Sequence, residues 1–169
     1  RDRRSDEGIQ ELAESIKDAG QIHPGIVVAL PEDAARTYIK RINEMWGTSY
    51  KLSQFKSVFV KEVKCEIWLF VVAGHLRQHA VKEARLKKFY CYVHMETSFS
   101  RALQLQFQEN MHEAVHGDDE ARFLTLFWRE EKSADPTLSL AKFAKKLGKQ
   151  PEAIRRSLRF TSLPVKLQK

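Results

Sequence analysis

Three stretches of this 169-residue chain carry residue types and spacings that could do chemistry. The first is VVAGHLRQHA, residues 71–80, where an apolar run meets Gly74 and then a helical pattern. The backbone N–H groups at a helix start point outward, and the helix dipole favours an anion there. Gly74 would let a phosphate approach the backbone, and Arg77 would add a rigid fork of donors for its oxygens. Gly74, His75, Arg77 and His79 are therefore a candidate phosphate-binding set, against the plainer reading of a tight turn with a surface arginine. The second is LQLQFQENMHEA, residues 103–114, in which Glu109 and Asn110 follow an apolar helical pattern. A carboxylate beside an amide can hold Mg²⁺ or the polar edge of a nucleotide, though the pair is also ordinary helix-end chemistry.

The third stretch is LSLAKFAKKLGKQPEAIRRSLRF, residues 138–160. Leu140, Phe143, Ala144 and Leu147 form one stripe and Ile154 and Leu158 another, with Gly148 between them. Pro151 stands where a helix can begin without losing a hydrogen bond. A helix-turn-helix needs a small residue where its helices touch, a glycine about four residues later, and a branched apolar residue about six beyond that. Ala144, Gly148 and Ile154 meet these requirements. With Ile154 and Leu158 turned inward, Gln150, Glu152, Arg155, Arg156 and Arg159 face outward, where arginines can reach base edges or phosphates in a major groove. Lys142, Lys145, Lys146 and Lys149 are expected near the DNA backbone, where cations add salt-dependent affinity.

Charge supports this reading. Residues 138–169 hold nine basic residues against one acid, Glu152, whereas the remainder holds 20 basic and 21 acidic residues. The whole net charge of +7 therefore comes from the C-terminal segment, which suits a polyanionic partner such as double-stranded DNA. Other chemistries find less support. Cys65 and Cys91 make neither a disulfide framework nor a zinc site and read as two buried, reduced thiols. His112-Glu113-Ala114-Val115-His116 matches the zinc-protease pattern H-E-x-x-H, and Glu131 could be imagined as a third ligand. Gly117, immediately after, would break the helix that must carry both histidines. No metal site and no catalytic residues are assigned.

Stepwise periodicity supplies the elements that would position these groups. Helices are expected at 7–19, from Pro31 to about Trp46, and from Gly74 to about Leu86. Strands are expected at 26–30, 58–63, 66–73 and 89–95, the second and third as a hairpin about Lys64. From Ser98 onward only helices follow, at 101–111, 118–132, 140–147 and 151–160. The longest unbroken apolar run, Ile67 to Ala73, has strand length and falls far short of the ~18 residues of a membrane span. Strands mixed with helices, then helices alone, predict an α+β fold with two units: residues 1–97, with 31–57 as an insertion, and residues 98–169, with a helix-turn-helix at 140–160. Trp46, Tyr50 and Phe55 in the insertion read as core.

Taken in order, GIQELAESIKDAGQIHP, VVAGHLRQHAVKEA, LQLQFQENMHEA and LAKFAKKLGKQPEAIRRSLRFTSLP resemble the ParB family of chromosome and plasmid partition proteins. The resemblance spans nearly the whole chain apart from 31–57. It implies a sulfiredoxin-like α/β N-terminal domain, a helix-turn-helix domain that docks on centromere-like DNA, and a partner ATPase. It implies a cytoplasmic protein on the nucleoid or a plasmid. It also implies self-association, through a C-terminal domain outside these residues or on DNA or nucleotide. CTP with Mg²⁺, slowly hydrolysed, is the implied cofactor. The family pattern Gly-Glu-Arg-Arg stands here as Gly74-His75-Leu76-Arg77, a further family arginine falls at His79, and the arginine after Glu109-Asn110 falls at Glu113. Fewer cations at that place weaken any triphosphate site. Sulfiredoxin chemistry needs a cysteine near His75, and none is present. The alternatives are a transcription regulator of the same architecture, and a nucleotide hydrolase or small-molecule kinase working at His75, Arg77 and Glu109.

Overall fold

The computed structural model describes residues 6–61, 64–95, 98–110 and 117–163. It is a mixed α/β structure that divides into two compact units, residues 1–106 and 107–169. The H-E-x-x-H stretch lies outside the described residues. Among those described, no three His, Cys, Asp or Glu side chains gather to hold a metal ion, and no helix is long and apolar enough to cross a membrane.

In the first unit α1 (Asp6–Ala19), β1 (Gly25–Pro31), α2 (Glu32–Trp46), a single 3₁₀ turn (Leu52–Gln54), β2 (Lys56–Val60), β3 (Cys65–Ala73), α3 (His75–Glu83) and β4 (Cys91–Met95) follow in order. The sheet order is β2-β3-β1-β4, with β1 antiparallel to β3 and parallel to β4. The two central strands are the apolar ones, and Val27 to Leu30 are buried on both faces. On one side Tyr38 of α2 packs on Phe70 and Phe99, and Phe55 on Phe70. A second cluster joins Ala13 and Ile16 of α1 to Ala80 and Val81 of α3.

Trp46, Tyr50 and Phe55, all expected in the core, split between core and surface. Phe55 reaches the aromatic core, but Trp46 is 44% exposed and Tyr50 nearly half exposed. The stripe that α2 buries is Ala35, Tyr38 and Ile39, in its first half, so its last turn runs past the sheet. Asn43 organises the loop that follows, accepting from Thr48 Oγ1 and Tyr50 N and donating to the Tyr50 carbonyl. Helix α3 stops at Glu83, short of Leu86, because Arg85 takes up a left-handed conformation with φ 55°. Cys65 and Cys91 are free and only half-buried, and burial pushes the Cys91 thiol up.

Helix α4 (Phe99–Asn110) contains the division between the units. The expected change at 97/98 marks where the periodicity becomes helical. The packing changes later, because Phe99 still belongs to the aromatic core of the first unit. In the second unit, α5 (Gly117–Ala134), α6 (Leu140–Lys146) and α7 (Pro151–Ser162) follow. Phe143 of α6 lies edge-on to Phe127 and Trp128 of α5, and Thr125 of α5 bonds Thr161 of α7 through their hydroxyls at 2.7 Å.

Candidate nucleic-acid interface and phosphate loop

Helices α6 and α7 form a short hairpin whose closure follows from three residues. Ala144 and Ile154 are fully buried where the helices meet. Gly148 supplies φ 66° for the turn, and the Lys149 amide returns to the Ala144 carbonyl at 2.9 Å. The start of α6 is fixed from outside. Ser139 caps it through the Lys142 amide, and Lys132 Nζ donates to the carbonyls of Pro136 and Leu138. Asp135 accepts from both the backbone and the hydroxyl of Thr137, which holds its carboxyl below the usual range.

The outward side of α7 is cationic. Counting ~100° per residue, Arg155, Arg156 and Arg159 fall within an arc of about 100°, its centre about 130° from that of the Ile154–Leu158 stripe. All three are exposed. Arg155 pairs with Glu152 one turn earlier, on the same exposed surface, and such a pair costs little to open. Gln150 is exposed at the N-cap, and Lys142 and Lys145 are exposed on α6.

Two lysines expected beside them are placed otherwise. Lys149 pairs with Glu120 of α5 at 2.5 Å and lies over the Phe107 ring. Lys146 pairs with the buried Glu131 at 2.7 Å and lies over Phe127. Both cations fasten the hairpin to α5 instead of extending its basic surface. The same contact accounts for Glu131, imagined above as a metal ligand. These partners lie 15 to 29 positions away, so helix periodicity alone does not reveal them.

The Gly74 junction is built as a close backbone crossing. Gly74 is left-handed, φ 87°, and a Cβ there would stand 3.0 Å from the Gly25 Cα. A Cβ on Gly25 would strike the Phe89 ring at 2.4 Å. Glycine at position 74 lets the start of β1 and the start of α3 come this near, and glycine at 25 leaves room for the Phe89 ring. Arg77 then closes the crossing, donating through Nη1 to the Pro24 carbonyl at 2.8 Å and more weakly to that of His23. Gln21 fastens the other end, its amide donating to the Tyr90 carbonyl and accepting from the Tyr90 N–H. The expected phosphate fork is thus engaged with carbonyls. His75 is exposed at the surface, yet partial burial of its ring lowers its pKa, with the Val71 backbone opposing and nearby His79 adding to the shift. His79 is exposed one turn on. Glu109 lies at the end of α4 in the second unit, and the Asn110 side chain lies outside what is described. Within the first unit, the one guanidinium among Gly74, His75, Arg77 and His79 is engaged with the Pro24 and His23 carbonyls.

No family model matches the chain, and no curated protein does. Among solved structures it is similar to the C-terminally truncated chromosome-partitioning protein ParB from Caulobacter crescentus complexed to the centromeric parS site, at 18% identity and TM-score 0.51. That match covers 99% of this chain and 67% of the other. The fold is ParB-like. The same Caulobacter protein complexed with CTP-gamma-S matches at 18% identity and TM-score 0.38, covering 99% of this chain and 73% of that one.

Proposed function

We propose that this chain is a ParB-like DNA-binding protein of plasmid or chromosome partition, and that α6 and α7 form a helix-turn-helix that docks on centromere-like duplex DNA. The observation that carries this reading is the exposed arginine face of α7, set on a hairpin closed by Ala144, Gly148 and Ile154. In it Gln150, Arg155, Arg156 and Arg159 lie in the major groove, and Lys142 and Lys145 meet phosphates. Lys149 serves the hairpin first and the DNA at most second. The partners in this reading are duplex DNA, a partition ATPase and a second copy of the chain, on a nucleoid or plasmid.

CTP with Mg²⁺ is the regulating nucleotide that the family resemblance suggests. Arg77 is engaged with the Pro24 carbonyl, and neither CTP hydrolysis nor a kinase reaction is assigned.

The test is a genomic pull-down with footprinting, followed by titration of the recovered site. Tight binding at a few clustered sites is expected, lost by at least tenfold in Arg156→Ala plus Arg159→Ala, with a salt slope shallower by about 0.9 for each phosphate contact removed. Scattered promoter sites would favour a transcription regulator. Unaltered affinity in the double variant would remove the α7 reading altogether.

A further inference from the structure

The sheet of the first unit ends in an open edge at β4. Strand β4 pairs with β1 along Gly25–Ala29, and among the described residues no strand pairs with its other side. An unpaired edge presents a row of N–H and C=O groups and is normally blunted by charge, proline or a covering element. Here it is not. Tyr92 is 66% exposed and Val93 is 50% exposed, and consecutive residues of a strand point to opposite faces. Tyr90 and Met95 are exposed beside them. The same two faces are sealed at the neighbouring strand, where Val27, Val28 and Ala29 are buried. Cover on both sides of the sheet therefore stops one strand short of the edge.

A partner that fills this place must cover apolar groups on both faces at once. A membrane surface or a nucleic-acid backbone lies against one face only. A further strand covers both, because its own side chains alternate in the same way and its backbone satisfies the open edge. Charge selects among such strands. Lys82 at the end of α3 and Arg85, Lys87 and Lys88 in the turn leading to β4 are all exposed, against one neighbouring acid, Glu83.

We propose that β4 is a docking edge for an extended peptide that is apolar on both faces and acidic at one end, which adds as a fifth strand beside Cys91–Met95 with its acidic end toward Lys87 and Lys88. The inference is independent of the DNA-binding reading, since it concerns the other unit and needs no DNA.

The experiment uses the full chain and a fluorescein-labelled twelve-residue peptide of valine, isoleucine and threonine with three glutamates at one end. A second peptide of the same sequence carries N-methyl groups on alternate backbone amides. Fluorescence anisotropy is expected to show saturable binding of the first peptide, at least tenfold weaker binding of the second, and at least tenfold weaker binding of the first to Lys87→Glu plus Lys88→Glu. Amide exchange at Tyr92 to His94 is expected to slow on binding, as only backbone pairing would require. Equal binding of the N-methylated peptide, or unprotected β4 amides, overturns the proposal, as does no binding at millimolar peptide. Sedimentation showing self-association that Val93→Lys abolishes would assign the edge to a second copy and overturn it too, and so would competition by anionic vesicles or by duplex DNA lacking a centromere site.

Discussion

Arg77 Nη1 stands 2.8 Å from the carbonyl oxygen of Pro24, joining the first turn of α3 to the loop that leads into β1. This places the one cation of the Gly74 loop in a structural role. A charged donor to a partly buried carbonyl contributes about 1.5–3 kcal/mol. Arg77→Ala is therefore expected to lower stability by roughly that amount. It should do so without any nucleotide present, as a fall in the urea midpoint at unchanged slope. If Arg77 instead waits for phosphate, the variant unfolds at the same urea concentration as the native chain and differs only when nucleotide is added.

His75, next to the same crossing, gives stability a pH dependence of definite sign. Burial lowers its pKa below the ordinary 6.5, His79 adds to this, and the Val71 backbone opposes. The unfolded chain thus takes up a proton at higher pH than the folded one. Stability from this group is whole above pH 6.5 and is lost as pH falls toward the lower folded value. Denaturant midpoints measured from pH 7.5 to 5 are expected to decline in the native chain and to decline less in His75→Gln. Equal decline in both would mean that the ring titrates alike in the folded and unfolded states.

The sequence was a good guide where a feature depends on local spacing and a poor one where it depends on a distant partner. The hairpin of α6 and α7 was legible because Ala144, Gly148 and Ile154 each answer a local geometric need. The central strands were legible because Val27–Leu30 and Ile67–Ala73 are apolar without interruption. The role of Arg77 was not, since its acceptors are more than fifty residues away and a guanidinium beside a glycine reads as a phosphate fork. The Lys149–Glu120 pair was hidden for the same reason. Trp46 was misplaced because helical periodicity says which residues share a face but not where along a helix its cover ends.

Arg85 carries a backbone cost that can be removed. Its φ of 55° puts a β-carbon in the left-handed region, which costs a non-glycine residue about 1–2 kcal/mol. The amide of Leu86 returns to the Val81 carbonyl at 3.1 Å across this turn, so the conformation is held in place. Arg85→Gly is expected to raise stability by up to about 1 kcal/mol, the gain being offset in part by glycine's greater freedom when unfolded. Arg85→Ala should give no such gain, because it keeps the β-carbon. Thermal unfolding of the two variants beside the native chain separates the backbone effect from the loss of charge, and a rise in both would sink the strain account.

Glu120 and Lys149 offer the sharpest test of how the hairpin is held against how it binds. Their side chains are about one-quarter to one-third exposed at 2.5 Å, and Lys149 also lies over Phe107. Glu120→Gln would release the ammonium from its partner, and the cost to stability is expected to be about 1 kcal/mol or less, since water screens a pair this exposed. The freed lysine sits at the turn between α6 and α7, beside Gln150 at the start of α7. If the hairpin docks on duplex DNA as proposed, the Glu120→Gln chain should bind its site more tightly at low salt and with a salt slope steeper by about 0.9, one added phosphate contact. Lys149→Ala in the native background should leave that slope unchanged while lowering the urea midpoint. The opposite pattern, a slope lost in Lys149→Ala and untouched in Glu120→Gln, would mean that the ion pair opens on DNA and that Lys149 spends its charge on phosphate, as the residue spacing alone suggested.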